Sequence, residues 1–200
     1  MRITRTAPVL ALMLAALPLA ASAHTGVDAG LHHGLVSGFL HPLTGADHLA
    51  AMVAVGLWSA LTARRAWPDL LWAPLGFASM LLAGALAGLA GVQLPAVEPM
   101  IAASLLVLGL LVATRIHLPA AVAAAVVGVF AIFHGVAHGH ELASEQGAAL
   151  TLAGMVGATV LLHLAGIGLG WALRHGHRWL PRLAGAAVVA LGATLLSQAV

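Results

Sequence analysis

Two short polar stretches interrupt an otherwise apolar chain. They are His41-Pro42-Leu43-Thr44-Gly45-Ala46-Asp47-His48 and Phe133-His134-Gly135-Val136-Ala137-His138-Gly139-His140-Glu141. Both combine imidazole with carboxylate. On a helix of about 3.6 residues per turn, His134 and His138 fall on one face a turn apart, and Glu141 returns to nearly the angle of His134. One stripe thus offers two imidazoles and an acid. In the first stretch Pro42 and Gly45 break or kink a helix. The break lets His41 approach the Asp47-His48 pair and frees backbone carbonyls to line a hydrated path. Nitrogen and oxygen donors without thiolate suit a borderline dication such as Ni²⁺, Co²⁺ or Zn²⁺, whereas Ca²⁺ and Mg²⁺ prefer all-oxygen shells. One acid per cluster limits how tightly an ion is held, and a transported ion must leave again. Metal-bound histidine is neutral, so binding is expected to weaken as pH falls below about 6.5.

The elements that position these groups follow from composition. Of 200 residues, 62% are hydrophobic and 7% are charged, and the mean hydropathy is +1.04. Soluble domains carry about 25% charged residues, and disordered chains are far less apolar. Cysteine is absent, which excludes disulfides, thiolate metal sites and cysteine nucleophiles. All eight basic residues are arginines scattered between apolar runs, and the net charge is only +2, so nucleic acid is not an expected partner. The expectation is an all-α, polytopic membrane helix bundle whose medium is the lipid bilayer.

Arg2 and Arg5, the apolar residues 7–20 and Ala21-Ser22-Ala23 read as a secretory signal cleaved after Ala23, leaving residues 24–200 as a single transmembrane domain. Six apolar stretches follow, near residues 30–62, 69–90, 97–114, 118–138, 148–173 and 182–199. The last five are each close to the ~20 residues a bilayer requires. The first is too long for one straight helix and too short for two spans. It reads as one span, broken near Pro42–Gly45, preceded by a half-helix or interfacial segment. With about six transmembrane helices, Arg64, Arg65, Arg115, Arg174, Arg178 and Arg182 share one face, while Glu98, Glu141 and Glu145 occupy the other. The positive-inside rule makes the arginine face cytoplasmic, so the mature N-terminus and the C-terminus both face outward.

Spacing also gives depth. Asp47 lies 17 residues before Arg64, and His134 lies 17 residues after His117. At ~1.5 Å per residue both sit about 25 Å from the arginine face. Two clusters at one height on different helices can make one metal site, formed by His41, Asp47, His48, His134, His138 and Glu141. His163, 11 residues before Arg174, is deeper and could serve as a second station. At the cleaved terminus, His24 could chelate an ion through its amine and ring, with Asp28, His32 and His33 close behind. His32, His33, His117, His175 and His177 lie near interfaces, where a wet imidazole costs little. Trp58, Trp67, Trp72, Trp171 and Trp179 mostly sit near span ends, as an interfacial belt predicts. Gly84 with Gly88, and Gly166 with Gly170, have the spacing that lets helices approach closely. Their expected role is packing within the chain, with a homo-oligomer contact as the alternative.

The residues quoted resemble the HupE/UreJ family of nickel and cobalt permeases. That family carries H-x5-D-H in its first span, matched by His41, Asp47 and His48. In its fourth it carries F-H-G-x-A-[HY]-G-x-E, matched by Phe133, His134, Gly135, Ala137, His138, Gly139 and Glu141. Gly45-Ala46-Asp47-His48 and Val55-Gly56-Leu57-Trp58 are also similar, and the resemblance covers essentially the whole mature chain. It implies uptake of Ni²⁺ or Co²⁺ across the bacterial inner membrane, near hydrogenase or urease functions, with the ion as substrate and no permanently bound cofactor. No P-loop pattern is present, so transport without ATP hydrolysis by this chain is expected. The enzyme alternative is an intramembrane zinc hydrolase, with three histidines and an acid around Zn²⁺ and a second carboxylate as base.

Overall fold

Backbone amides in lipid must be satisfied within their own segment, which makes helix the default for each apolar run. A computed structural model describes residues 34–64, 67–145 and 147–199. The expected signal segment, His24, Asp28, His32 and His33 lie outside the described residues. Among the described residues there are seven helices and no strand: α1 (Leu35–Thr44), α2 (Ala46–Thr62), α3 (Trp72–Leu89), α4 (Val97–Thr114), α5 (Ala120–Leu142), α6 (Ala148–Arg174) and α7 (Trp179–Ala199). Five of them, α3 to α7, are long and apolar enough to cross a membrane. The first apolar stretch is the broken element expected of it, a ten-residue α1 followed by a 17-residue α2.

The break falls at Gly45, whose backbone is extended (φ −84°, ψ 115°). Pro42 lies inside α1 and removes the amide that would bond to the Gly38 carbonyl. One more turn follows, and the helix then ends on the His41 carbonyl. That carbonyl accepts from the Thr44 hydroxyl at 2.8 Å and from the Gly45 amide at 3.4 Å. At the start of α2, the Asp47 carboxylate accepts from the His48 amide at 2.9 Å. It thereby satisfies one of the amides a helix start leaves open, at the end where the helix dipole favours negative charge.

Glycine seams draw the helices into groups. A Cβ at Gly135 or Gly139 of α5 would collide with the carbonyls of Leu81 or Ala85 on α3, and Gly84 sits equally close to Ile132 of α5. Along α6, Gly154 lies against α1 at Leu35, and Gly166 lies against α2 at Val53. Gly109 of α4 meets Gly185 of α7. These pairings, α3 with α5, α1 and α2 with α6, and α4 with α7, are also the most extensive helix contacts. Gly84, Gly88, Gly166 and Gly170 thus pack within the chain, as their spacing suggested.

The helix order places the described arginines at one end of the bundle and Asp47, Glu98 and Glu141 at the other. At the arginine end, Arg174 donates to the Ala63 carbonyl at 2.9 Å, and His117 Nδ1 donates to the Thr62 carbonyl at 3.2 Å. Trp67, Trp72, Trp171 and Trp179 are exposed, as a belt requires. Trp58 departs from that expectation. It is 1% exposed, with Nε1 donating to the Ile116 carbonyl at 3.0 Å, because its side of α2 faces the protein interior and the indole N–H finds a loop acceptor there.

Candidate metal centre

The chain break turns α1 and α2 so that His41 and His48 meet α5. The seam of Gly135 and Gly139 on α3 leaves the His134–His138 face of α5 turned toward them. Four imidazoles consequently pack together. Ring centroids are 4.4 Å apart for His48 and His138, 5.0 Å for His41 and His138, 5.0 Å for His48 and His134, and 6.2 Å for His41 and His48. His48, His134 and His138 are buried, and His41 is part-exposed.

Each acid engages a ring. Asp47 Oδ1 accepts from His48 Nδ1 at 2.8 Å, in addition to the His48 amide. A carboxylate only accepts, so in the neutral ring the proton is on Nδ1 and the lone pair on Nε2. Glu141 Oε2 lies 3.3 Å from His138 Nδ1 and 3.4 Å from His41 Nε2. The same reasoning puts the His138 lone pair on Nε2, which is buried and has no hydrogen-bond partner among the described residues. Ligand atoms of His41, His138 and Glu141 lie within 4.8 Å of one another, close enough to share one cation.

The cluster borders a cavity of about 240 Å³ at the acid-bearing end, lined by Asp47, His48, Glu98, His140 and Glu141 among others. Among the described residues, no arginine lines it. Glu98 stands at the first turn of α4, and its carboxylate is exposed. His140 Nε2 donates to the Val92 carbonyl at 2.8 Å, fastening the α3–α4 connection beside this opening. Such an arrangement can draw in a hydrated dication, strip part of its shell and replace it with nitrogen and oxygen.

Of the residues singled out from the sequence, His41, Asp47, His48, His134, His138 and Glu141 come together here. His163 stands apart from the four packed rings. It is buried on α6, edge-on to Phe77 at 5.4 Å between centroids, and Phe77 in turn lies 5.7 Å from His134. His24 is outside the described residues. Ser104 was not singled out, yet it reaches the cluster from α4, its Oγ 3.1 Å from His134 Nε2. The only sequence signal for it is a lone hydroxyl in the apolar run from Ile101 to Val112.

A family model described as HupE / UreJ protein matches residues 10–195. Protein HupE of Rhizobium leguminosarum bv. viciae is 44% identical over 184 residues, covering 90% of this chain and 92% of that protein. No solved structure matches.

Proposed function

The chain belongs to the HupE/UreJ family, and from that membership we propose that it is a secondary transporter of a divalent transition-metal ion. The cargo is Ni²⁺ or Co²⁺, moved inward across the bacterial inner membrane to supply hydrogenase or urease. The observation that carries this reading is the meeting of four imidazoles and two carboxylates beside a cavity at one end of an apolar helix bundle. The cation is cargo, the chain keeps no resident cofactor, and it acts as a carrier and not as an enzyme.

In this reading residues 1–23 are a cleaved leader, and His24 with the outer acids gathers ions outside. The arginine end is cytoplasmic and both ends of the mature chain are periplasmic. An arriving ion first meets Glu141, the more exposed acid, with His41 and His138 beside it. It then passes to the buried rings of His48 and His134. Asp47 acts chiefly through His48, holding the ring so that Nε2 is presented to the ion. His163 is the next station toward the cytoplasm.

No ATP is required. About 100 mV, inside negative, is worth about 2.3 kcal/mol per charge. For a dication this is ~4.6 kcal/mol, or roughly three decades of accumulation.

The test is uptake of radiolabelled Ni²⁺ and Co²⁺ into proteoliposomes under an imposed potential, with Zn²⁺ as competitor. Potential-dependent accumulation is expected. Uptake no greater than in protein-free vesicles would refute the proposal. Tightly held stoichiometric zinc with ester or amide turnover would mark the hydrolase instead.

A further inference from the structure

Three rings of the cluster have one nitrogen occupied and the other directed elsewhere. For His48 and His138 the occupying group is an acid, Asp47 or Glu141. His134 has no acid hydrogen-bonded to it among the described residues. Its partner is Ser104, a fully buried residue on α4.

The direction of that hydrogen bond follows from counting protons. Ser104 Oγ lies 2.6 Å from the Ile101 carbonyl oxygen and 3.1 Å from His134 Nε2. Two oxygens approach to 2.6 Å only with a hydrogen between them, and a carbonyl has none to give. The single hydroxyl hydrogen therefore goes to Ile101. Toward His134 the serine can only accept, so Nε2 must carry the ring proton. The lone pair of neutral His134 is then on Nδ1. That atom is buried and has no hydrogen-bond partner among the described residues. A buried acceptor left empty is costly, and a passing cation would satisfy it.

We propose that Ser104 is a positioning residue of the metal path, locking His134 in the Nε2–H tautomer so that Nδ1 is offered to the cation. The role rests on the transport reading above, and it adds α4 to the helices that shape the site. Its physical logic is that of the outer partners of metal-bound histidines, which fix ring orientation and tautomer and whose loss weakens metal binding. Serine suits the place better than an acid would. It aligns the ring without adding a buried negative charge that would hold a dication more tightly, at the most fully buried of the three rings so occupied.

The experiment uses the full chain purified in detergent, as wild type, Ser104→Ala and Ser104→Thr. The first readout needs no metal. Nitrogen NMR of protein carrying labelled histidine reports the tautomer of each ring, and the His134 signal is identified by its loss in His134→Gln. The second readout is titration with Co²⁺, followed by its ligand-field absorption. Wild type should show His134 as Nε2–H. Ser104→Ala should lose that preference, bind Co²⁺ about 10–100-fold more weakly and change the spectrum. Ser104→Thr keeps a hydroxyl that can bond back to the same turn, and it should restore both tautomer and affinity. A wild-type His134 protonated on Nδ1 would overturn the proposal. So would a tautomer unchanged in Ser104→Ala, whether or not affinity falls, since the hydroxyl would then serve packing alone. If wild type holds the tautomer yet binds no Co²⁺, the metal reading fails and this role fails with it, while the hydrogen-bond assignment stands.

Discussion

The two sides of the site are built in opposite ways. On one side the chain breaks at Gly45, and its acid, Asp47, is 8% exposed in its side chain and spends one oxygen on the very next residue. On the other side α5 runs unbroken, and its acid, Glu141, is 40% exposed and reaches across to a ring on another helix. The broken side thus holds a preset carboxylate–imidazole pair in a water-poor setting, where such a pair is rigid and electrostatically strong. The continuous side holds an acid that water and salt can reach. Within the proposed transport function, the contrast makes Asp47 the orienting acid and Glu141 the capturing one.

The largest effect is expected on the broken side. Asp47→Ala or His48→Ala should bring Ni²⁺ uptake in proteoliposomes down to that of protein-free vesicles, with the protein still inserted. Normal accumulation in both would dissolve the contrast. On the continuous side, Glu141→Gln retains an oxygen for His138 but loses the charge, and should weaken apparent Ni²⁺ affinity by about tenfold. A further comparison sharpens the assignment. Raising ionic strength from about 0.01 M to 0.15 M shortens the screening length from about 30 Å to 8 Å. Wild-type uptake at low Ni²⁺ should fall over that range, and Glu141→Gln should flatten the dependence.

The backbone of the continuous side offers a third comparison. Gly139→Ala forces a methyl group into the Ala85 carbonyl of α3, and should cost about 1–3 kcal/mol in thermal unfolding and misplace the rings. Gly168→Ala on α6 meets open space and should be neutral or stabilising, by up to about 1 kcal/mol. The smallest effect is expected from Arg178→Ala, remote from both sides, with uptake unchanged.

Much of this was legible in the chain itself. Pro42 and Gly45 announce a break because one lacks an amide and the other lacks a Cβ. Counting residues from Arg64 and from His117 puts Asp47 and His134 at one height, because a helix has a fixed rise. What periodicity does not carry is which helix faces which. Gly135 and Gly139 of the second polar stretch stand in the sequence only as matches to a family pattern, and the structure shows α3 pressed against them. Ser104 was silent for a similar reason. A serine in a helix ordinarily bonds back to its own turn, as this one does with Ile101, and only the neighbouring helix shows that its oxygen also has a second task. Trp58 misled in the same way, since a tryptophan near a span end reads as interfacial unless its face of the helix is known.

The glycine seams have a consequence for movement. They join the seven described helices into three groups, and the site draws one contribution from each. His41 and His48 belong to the block on α6, His134, His138 and Glu141 to the block of α3 and α5, and Ser104 to the block of α4 and α7. A cation bound among these groups, as the proposed function has it, would bridge all three blocks, and a tilt of any one block would change its set of ligands. No helix has to be unstitched from its neighbour for that to happen.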